Sequence, residues 1–116
     1  ETFLEHWTTM LCVTDAVILG LWCDDRLVGG FGAAMTQDIN SGMRVGSEYF
    51  LYVDPAHRHG SGALRLIRAF QAWTRTQDAH RCRMVISEDD PRAAQFASLY
   101  ARLGGRRCET VWEFPL

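Results

Sequence analysis

Residues 44–87 change their hydrophobic period twice, and no other stretch constrains the fold as tightly. Arg44 to Val53 ends in Tyr49, Phe50, Leu51, Tyr52 and Val53, a run rich in aromatic and β-branched side chains that reads as a strand. Asp54-Pro55 stops it, and His57-Arg58-His59-Gly60-Ser61-Gly62 forms a loop of small and polar residues. Ala63, Leu66, Ile67, Phe70 and Trp73 then step along one face of a helix, with Arg65, Arg68 and Arg75 on the solvated side. Cys82 to Ser87 is again a short apolar strand. Strand, glycine loop, helix, strand spells a βαβ unit, whose two strands run parallel.

The flanks complete an α/β fold. Phe3, Leu4, Trp7, Met10 and Leu11 recur at helical spacing, so a short helix is expected over 2–11. Ala16–Cys23 and Leu27–Thr36 read as a hairpin around Asp24-Asp25, and Gly29, Gly30 and Gly32 in its second strand point to a bulge or a close approach by another group. After the βαβ unit, Asp90-Pro91 opens a helix whose Phe96, Leu99, Tyr100 and Leu103 share a face; Gly104-Gly105 closes it. A last strand is expected over 107–114.

With 116 residues the chain fits one domain, 1–116, around one core. No apolar stretch reaches the roughly 18 residues of a membrane helix, and Glu1-Thr2-Phe3-Leu4 has no signal-like basic start, which reads as a cytoplasmic protein with no membrane partner. All 12 basic residues are Arg; against 14 acidic ones the net charge is −2, which argues against nucleic acid as a partner. The cysteines at 12, 23, 82 and 108 show no metal-ligand spacing and read as free, buried thiols.

The loop at 57–63 is the place for chemistry. Small residues let backbone N–H groups approach an anion at the positive end of a helix. A nucleotide-hydrolase loop needs Gly-Lys-Ser/Thr, and the chain has no Lys; a dinucleotide fingerprint needs a third glycine where Arg65 stands. A tight strand–helix connection without a ligand also accounts for a lone Gly-x-Gly. His57 and His59 have no evident third metal ligand.

Taken together, Val53-Asp54-Pro55-Ala56-His57-Arg58-His59-Gly60-Ser61-Gly62-Ala63-Leu64 and the later Leu99-Tyr100-Ala101-Arg102-Leu103-Gly104 resemble the GNAT family of N-acetyltransferases, in its compact phage-like type. The resemblance covers 44–113 well and 16–36 in outline. It implies a mixed sheet with antiparallel N-terminal strands, a central βαβ unit and flanking helices, with the first strand and helix expected to lie outside this sequence. It also implies transfer of acetyl from acetyl-CoA to an amine, on a small molecule or a protein, by direct attack in a ternary complex. The acceptor is unspecified, and a homodimer is compatible with such a fold.

Residue by residue, the resemblance puts the pyrophosphate of acetyl-CoA against Arg58, His59, Gly60, Ser61, Gly62 and Ala63. Counting from Val53 places Arg58 at the family's Arg/Gln position and Ser61 where its first glycine is usual; counting from the glycines places His57 there instead. Leu51, Tyr52 and Val53 would give backbone groups to the acetyl and pantetheine. Tyr100 would protonate the departing thiolate. Glu48, assigned by period-two alternation to the face of Phe50 and Tyr52, is the candidate general base, although a solvated strand Glu reads equally well. Ala93 and Gly105 depart from the family's usual Asn and aromatic residue. A non-catalytic acyl-CoA-binding or protein-interaction module and a ligand-free, strand-adding dimer module are the other readings.

Overall fold

The computed structural model describes residues 15–116 in full and residues 6–13 as a backbone strand. The chain divides into two compact units, Glu1–Met84 and Val85–Leu116. The first contains β1 (His6–Val13), β2 (Ala16–Cys23), β3 (Arg26–Gln37), β4 (Arg44–Val53), α1 (Gly62–Thr76) and β5 (Cys82–Arg83). The strands form one sheet in the order β1-β2-β3-β4-β5. The first three pairings are antiparallel and β4 pairs with β5 in parallel, so β4–α1–β5 is the βαβ unit that the period changes predict.

The helix expected over 2–11 is not formed at 6–13; residues 2–5 lie outside the described residues. Apolar spacing there mimics a helix, but Thr8, Thr9 and Val13 are β-branched and favour a strand. The free edge of β2 supplies a partner from His6–Trp22 to Val13–Ala16. Tertiary pairing overrides the local period. The strand expected over 82–87 shrinks to two residues, because only Cys82 and Arg83 find partners on β4, opposite Gly46 and Ser47.

The β2–β3 hairpin turns at Asp24, whose φ of 54° lies in the left-handed region that Asp tolerates. Alternation along β2 and β3 points Val17, Leu19, Leu21, Phe31 and Ala33 to one face, where all are buried. α1 covers that face with Leu66, Ile67, Ala69, Phe70 and Thr74. Phe70 stacks on Phe31 with ring centroids 4.6 Å apart, and each such buried side chain contributes about 1.5–3 kcal/mol. Further along α1, Thr74 sits directly on Gly46 of β4. A Cβ there would lie 2.9 Å from the Thr74 methyl and would also strike its hydroxyl, which donates to the Phe70 carbonyl at 3.0 Å.

On the opposite face, Gly30 and Gly32 stand across from Tyr52 and Phe50. Their missing side chains leave a trough in which the Phe50 ring lies, so that a Cβ on Gly32 would come within 2.6 Å of Phe50 Cδ1. Gly29 answers a different need: a Cβ there would be 2.8 Å from the Tyr52 carbonyl. The expectation of a close approach at these glycines is met by the neighbouring strand.

The second unit contains α2 (Ala93–Arg102). The last strand expected over 107–114 is not formed. Val111, Trp112 and Phe114 are exposed there, since alternation without a pairing partner does not make a strand. Of the described cysteines, Cys23 is buried and Cys82 half-buried, whereas Cys108 is exposed, contrary to the buried reading. Burial pushes the Cys82 thiol pKa up, against a smaller lowering by the Arg75 charge. No helix among the described residues is long and apolar enough to cross a membrane.

The Gly46–Thr74 contact predicts that Gly46→Ala destabilises the protein by roughly 1–3 kcal/mol in denaturant melts, and that Thr74→Ala in the same chain recovers part of the loss. An additive double variant would show that the two positions do not press on one another.

Candidate active site

β4 changes character at a bulge. Ala33 pairs with Glu48 and Gly32 with Phe50, leaving Tyr49 as an extra residue on β4. Ala33 and Gly32 are adjacent on β3 and so point to opposite faces, as do their partners. Glu48 therefore does not share a face with Phe50 and Tyr52. The bulge flips the alternation, and Glu48 stands, half-buried, on the register face of Phe31, Ala33 and Leu51, the face that α1 covers. No composition signal marks such an inserted residue in advance.

Beyond Ser47, β4 has no pairing partner among the described residues on its β5 side. The backbone of Leu51, Tyr52 and Val53 thus runs to the strand's end bonded to β3 on one edge only. Leu51 is half-buried, Val53 is buried, and Tyr52 is 52% exposed on the Phe50 face. An open strand edge presents N–H and C=O groups in an extended row, suited to an amide-bearing chain laid alongside.

At Val53 the chain turns. Asp54 donates its N–H to the Val28 carbonyl at 2.7 Å, and its Oδ1 accepts from Ala56 N at 3.1 Å, which caps a 3-10 turn at Pro55–His57. Arg58 closes this turn with its side chain: Nε donates to the Val53 carbonyl at 2.7 Å, and the guanidinium lies over the Tyr52 ring at 5.6 Å. One face of Arg58 is thereby committed to holding the loop against the strand end. His59, Gly60 and Ser61 follow, all exposed. Neither Gly60 nor Gly62 has a positive φ, so what these glycines supply is the absence of a side chain rather than an unusual backbone.

α1 begins at Gly62 with Ser61 at its N-cap. The serine makes no side-chain capping bond; its Oγ accepts instead from Arg65 Nε at 2.9 Å. The N–H groups of Gly62, Ala63 and Leu64, which have no partner within a helix, therefore keep no cap. Three aligned donors at the positive end of a 15-residue helix, reached over a glycine loop, fit an anionic group such as a pyrophosphate. Arg65, expected to be solvated, is half-buried and tied into this loop. Periodicity could assign its face but not its bond; only the i, i+4 spacing to Ser61 hinted at the contact.

The family model described as the acetyltransferase (GNAT) family matches residues 2–104. The chain belongs to the GNAT acetyltransferase family. No curated protein matches its sequence. Among solved structures, one from Pyrococcus furiosus superposes with a TM-score of 0.77 at 16% identity, over 88% of this chain and 66% of the other. A ribosomal-protein-alanine N-acetyltransferase from Brucella melitensis biovar Abortus 2308 gives 0.72 at 20% identity, over 88% and 72%. AAC(6')-Iy, bound to the bisubstrate analogue CoA-S-monomethyl-acetylneamine, gives 0.75 at 19% identity, over 90% and 71%. At these identities the similarity concerns the fold, and this chain spans about two thirds of the length of each GNAT-like structure.

The candidate residues of this GNAT chain fall into two groups. Glu48, Leu51, Tyr52, Val53, Arg58, His59, Gly60, Ser61, Gly62 and Ala63 follow one another along β4, the loop and the first turn of α1 in the first unit. Tyr100 belongs to the second, on α2, half-buried, with its ring 6.0 Å from that of Phe96 and its carbonyl accepting from Leu103 and Gly105 N–H. Gly104, at φ 89°, makes the left-handed turn that ends the helix. Among the described residues no three His, Cys, Asp or Glu side chains gather as a metal site.

Proposed function

We propose that the chain is a single GNAT domain, 1–116, that transfers acetyl from acetyl-CoA to an amine in the cytoplasm. The single observation that carries the reading is the uncapped N-terminus of α1, reached from the open edge of β4 through a loop of Gly60 and Gly62. The pyrophosphate would sit on the N–H groups of residues 59–63, with Arg58 fastening the loop beneath it, and the pantetheine amides would extend along Leu51, Tyr52 and Val53. Family membership supports acetyl-CoA as the donor.

In the reaction the amine nitrogen attacks the thioester carbonyl directly, the new C–N bond forms as the C–S bond breaks, and the leaving thiolate takes a proton. Tyr100 is the proposed proton donor. A phenol, with a usual pKa near 10, passes a proton slightly uphill to a thiolate near 8.5, at a small cost. The nitrogen must first lose its own proton. Glu48 is the proposed base, and because it stands across the sheet from Phe50 it would work through water at the bulge rather than by direct contact. That placement also favours the second reading, a GNAT-fold module that binds acyl-CoA or a partner protein without catalysis. The acceptor, a small molecule or a protein, is fixed by neither reading.

Calorimetric titration of the full chain with acetyl-CoA should show saturable heat; none from folded protein would remove both the enzyme and the acyl-CoA-binding module, and leave only a module that binds a partner protein. Tyr100→Phe should lower kcat at least about tenfold with little change in acetyl-CoA affinity. Glu48→Gln should lower kcat/KM about tenfold near pH 7 and regain it as pH approaches about 10, where a free amine deprotonates unaided. Binding with no CoA release across a panel of amines would instead select the non-catalytic module.

A further inference from the structure

The N-terminus of α1 presents an unexpected economy. Serine is among the best N-cap residues, and its hydroxyl normally turns inward to accept from the N–H two or three residues on. At Ser61 this would consume Ala63 or Leu64 N–H. The structure shows the opposite: Ser61 has φ −88° and ψ 10°, away from the extended conformation of a capping serine, and its hydroxyl points back along the helix to Arg65. Its carbonyl still accepts from Arg65 N at 3.0 Å, so residue 61 begins the helix without capping it.

We infer that Arg65 is a positioning residue for anion binding, acting through Ser61. Its guanidinium takes the serine hydroxyl as acceptor, holds it out of the capping position, and so keeps the Ala63 and Leu64 N–H groups free for a ligand phosphate. One residue four along the helix thus decides whether the helix satisfies its own donors or offers them. This inference rests on the proposed use of α1 as a pyrophosphate site, but the Ser61–Arg65 tie makes a claim about the free protein as well.

Two measurements on the full chain separate these claims. The first is amide hydrogen exchange without ligand. Arg65→Ala, and Arg65→Met, which keeps the aliphatic stem, should slow exchange at Ala63 and Leu64 several-fold as the serine swings in to cap; with Ser61→Ala also present the slowing should vanish. The second is a double-variant cycle on CoA affinity. Arg65→Met should weaken binding about fivefold in the wild-type background and by less than about twofold when Ser61 is already Ala. Equal losses in both backgrounds would mean that the guanidinium meets the phosphate itself. No loss in either, or no change in exchange, would likewise overturn the inference. If wild-type protein takes up no CoA, the functional reading falls, and the exchange measurement still decides whether Arg65 holds the serine off its cap.

Discussion

The packing of α1 on the sheet sets the position of everything at the candidate site. Phe70 on Phe31 fixes the helix near its middle, and Thr74 on Gly46 fixes it near its end. Two contacts about one turn apart define the direction of a rigid helix, and therefore where its first turn lies relative to the end of β4. The same Gly46 pairs with Cys82, so the residue that admits the helix also receives β5. A side chain at position 46 would push the helix outward and shift the strand pairing at the same point. The position of the first turn of α1 thus depends on a missing Cβ far from the loop that leads into it.

A second constraint works through β4. Gly46 and Ser47 in its first half are paired on both edges, and its second half is paired on one. The bulge at Tyr49 lies near the change, and bulges increase local twist and bend the strand that carries them. Phe50, settled over Gly30 and Gly32, holds the bent segment down on β3, which leaves its other edge open without leaving the strand unsupported. Aromatic cover over strand glycines restores the contacts that the glycines themselves cannot make. The exposed Tyr52 ring then finds its own partner in Arg58, which couples the end of the strand to the loop.

Much of this was legible from period alone. β2, β3, β4 and α1 follow from alternation and from a run of apolar residues at helical spacing, and the α2 helix from Phe96, Leu99 and Tyr100. The failures are physical and separate. Residues 6–13 carry apolar spacing that fits a helix and β-branched residues that fit a strand, and only the available edge of β2 decides between them. Residues 107–114 have the reverse problem, a strand pattern that pairs with no strand among the described residues. Simple alternation misplaces Glu48 by one residue of register, because a side chain's face depends on every residue between it and its reference, and a single bulge reverses the answer. The loop motif was readable, whereas the Ser61–Arg65 bond was not, since a long side chain's choice among nearby acceptors leaves no mark in periodicity.

That bond bears on how the site tolerates its own sequence. Ser61 stands at the N-terminus of α1, and a hydroxyl at a helix N-terminus competes with any ligand for the same donors. An uncommitted serine would tax anion affinity by the free energy of its own cap, typically about 1 kcal/mol, or roughly fivefold in Kd. Pairing it with Arg65 moves that hydroxyl into a charge-assisted bond which persists whether or not an anion is present. The arginine also adds positive charge near the helix N-terminus, unfavourable for the dipole by itself and favourable once an anion arrives. Both effects act in one direction: they leave the ligand-free helix end less satisfied than an ordinary serine-capped one, and they return that difference as differential affinity for the bound state.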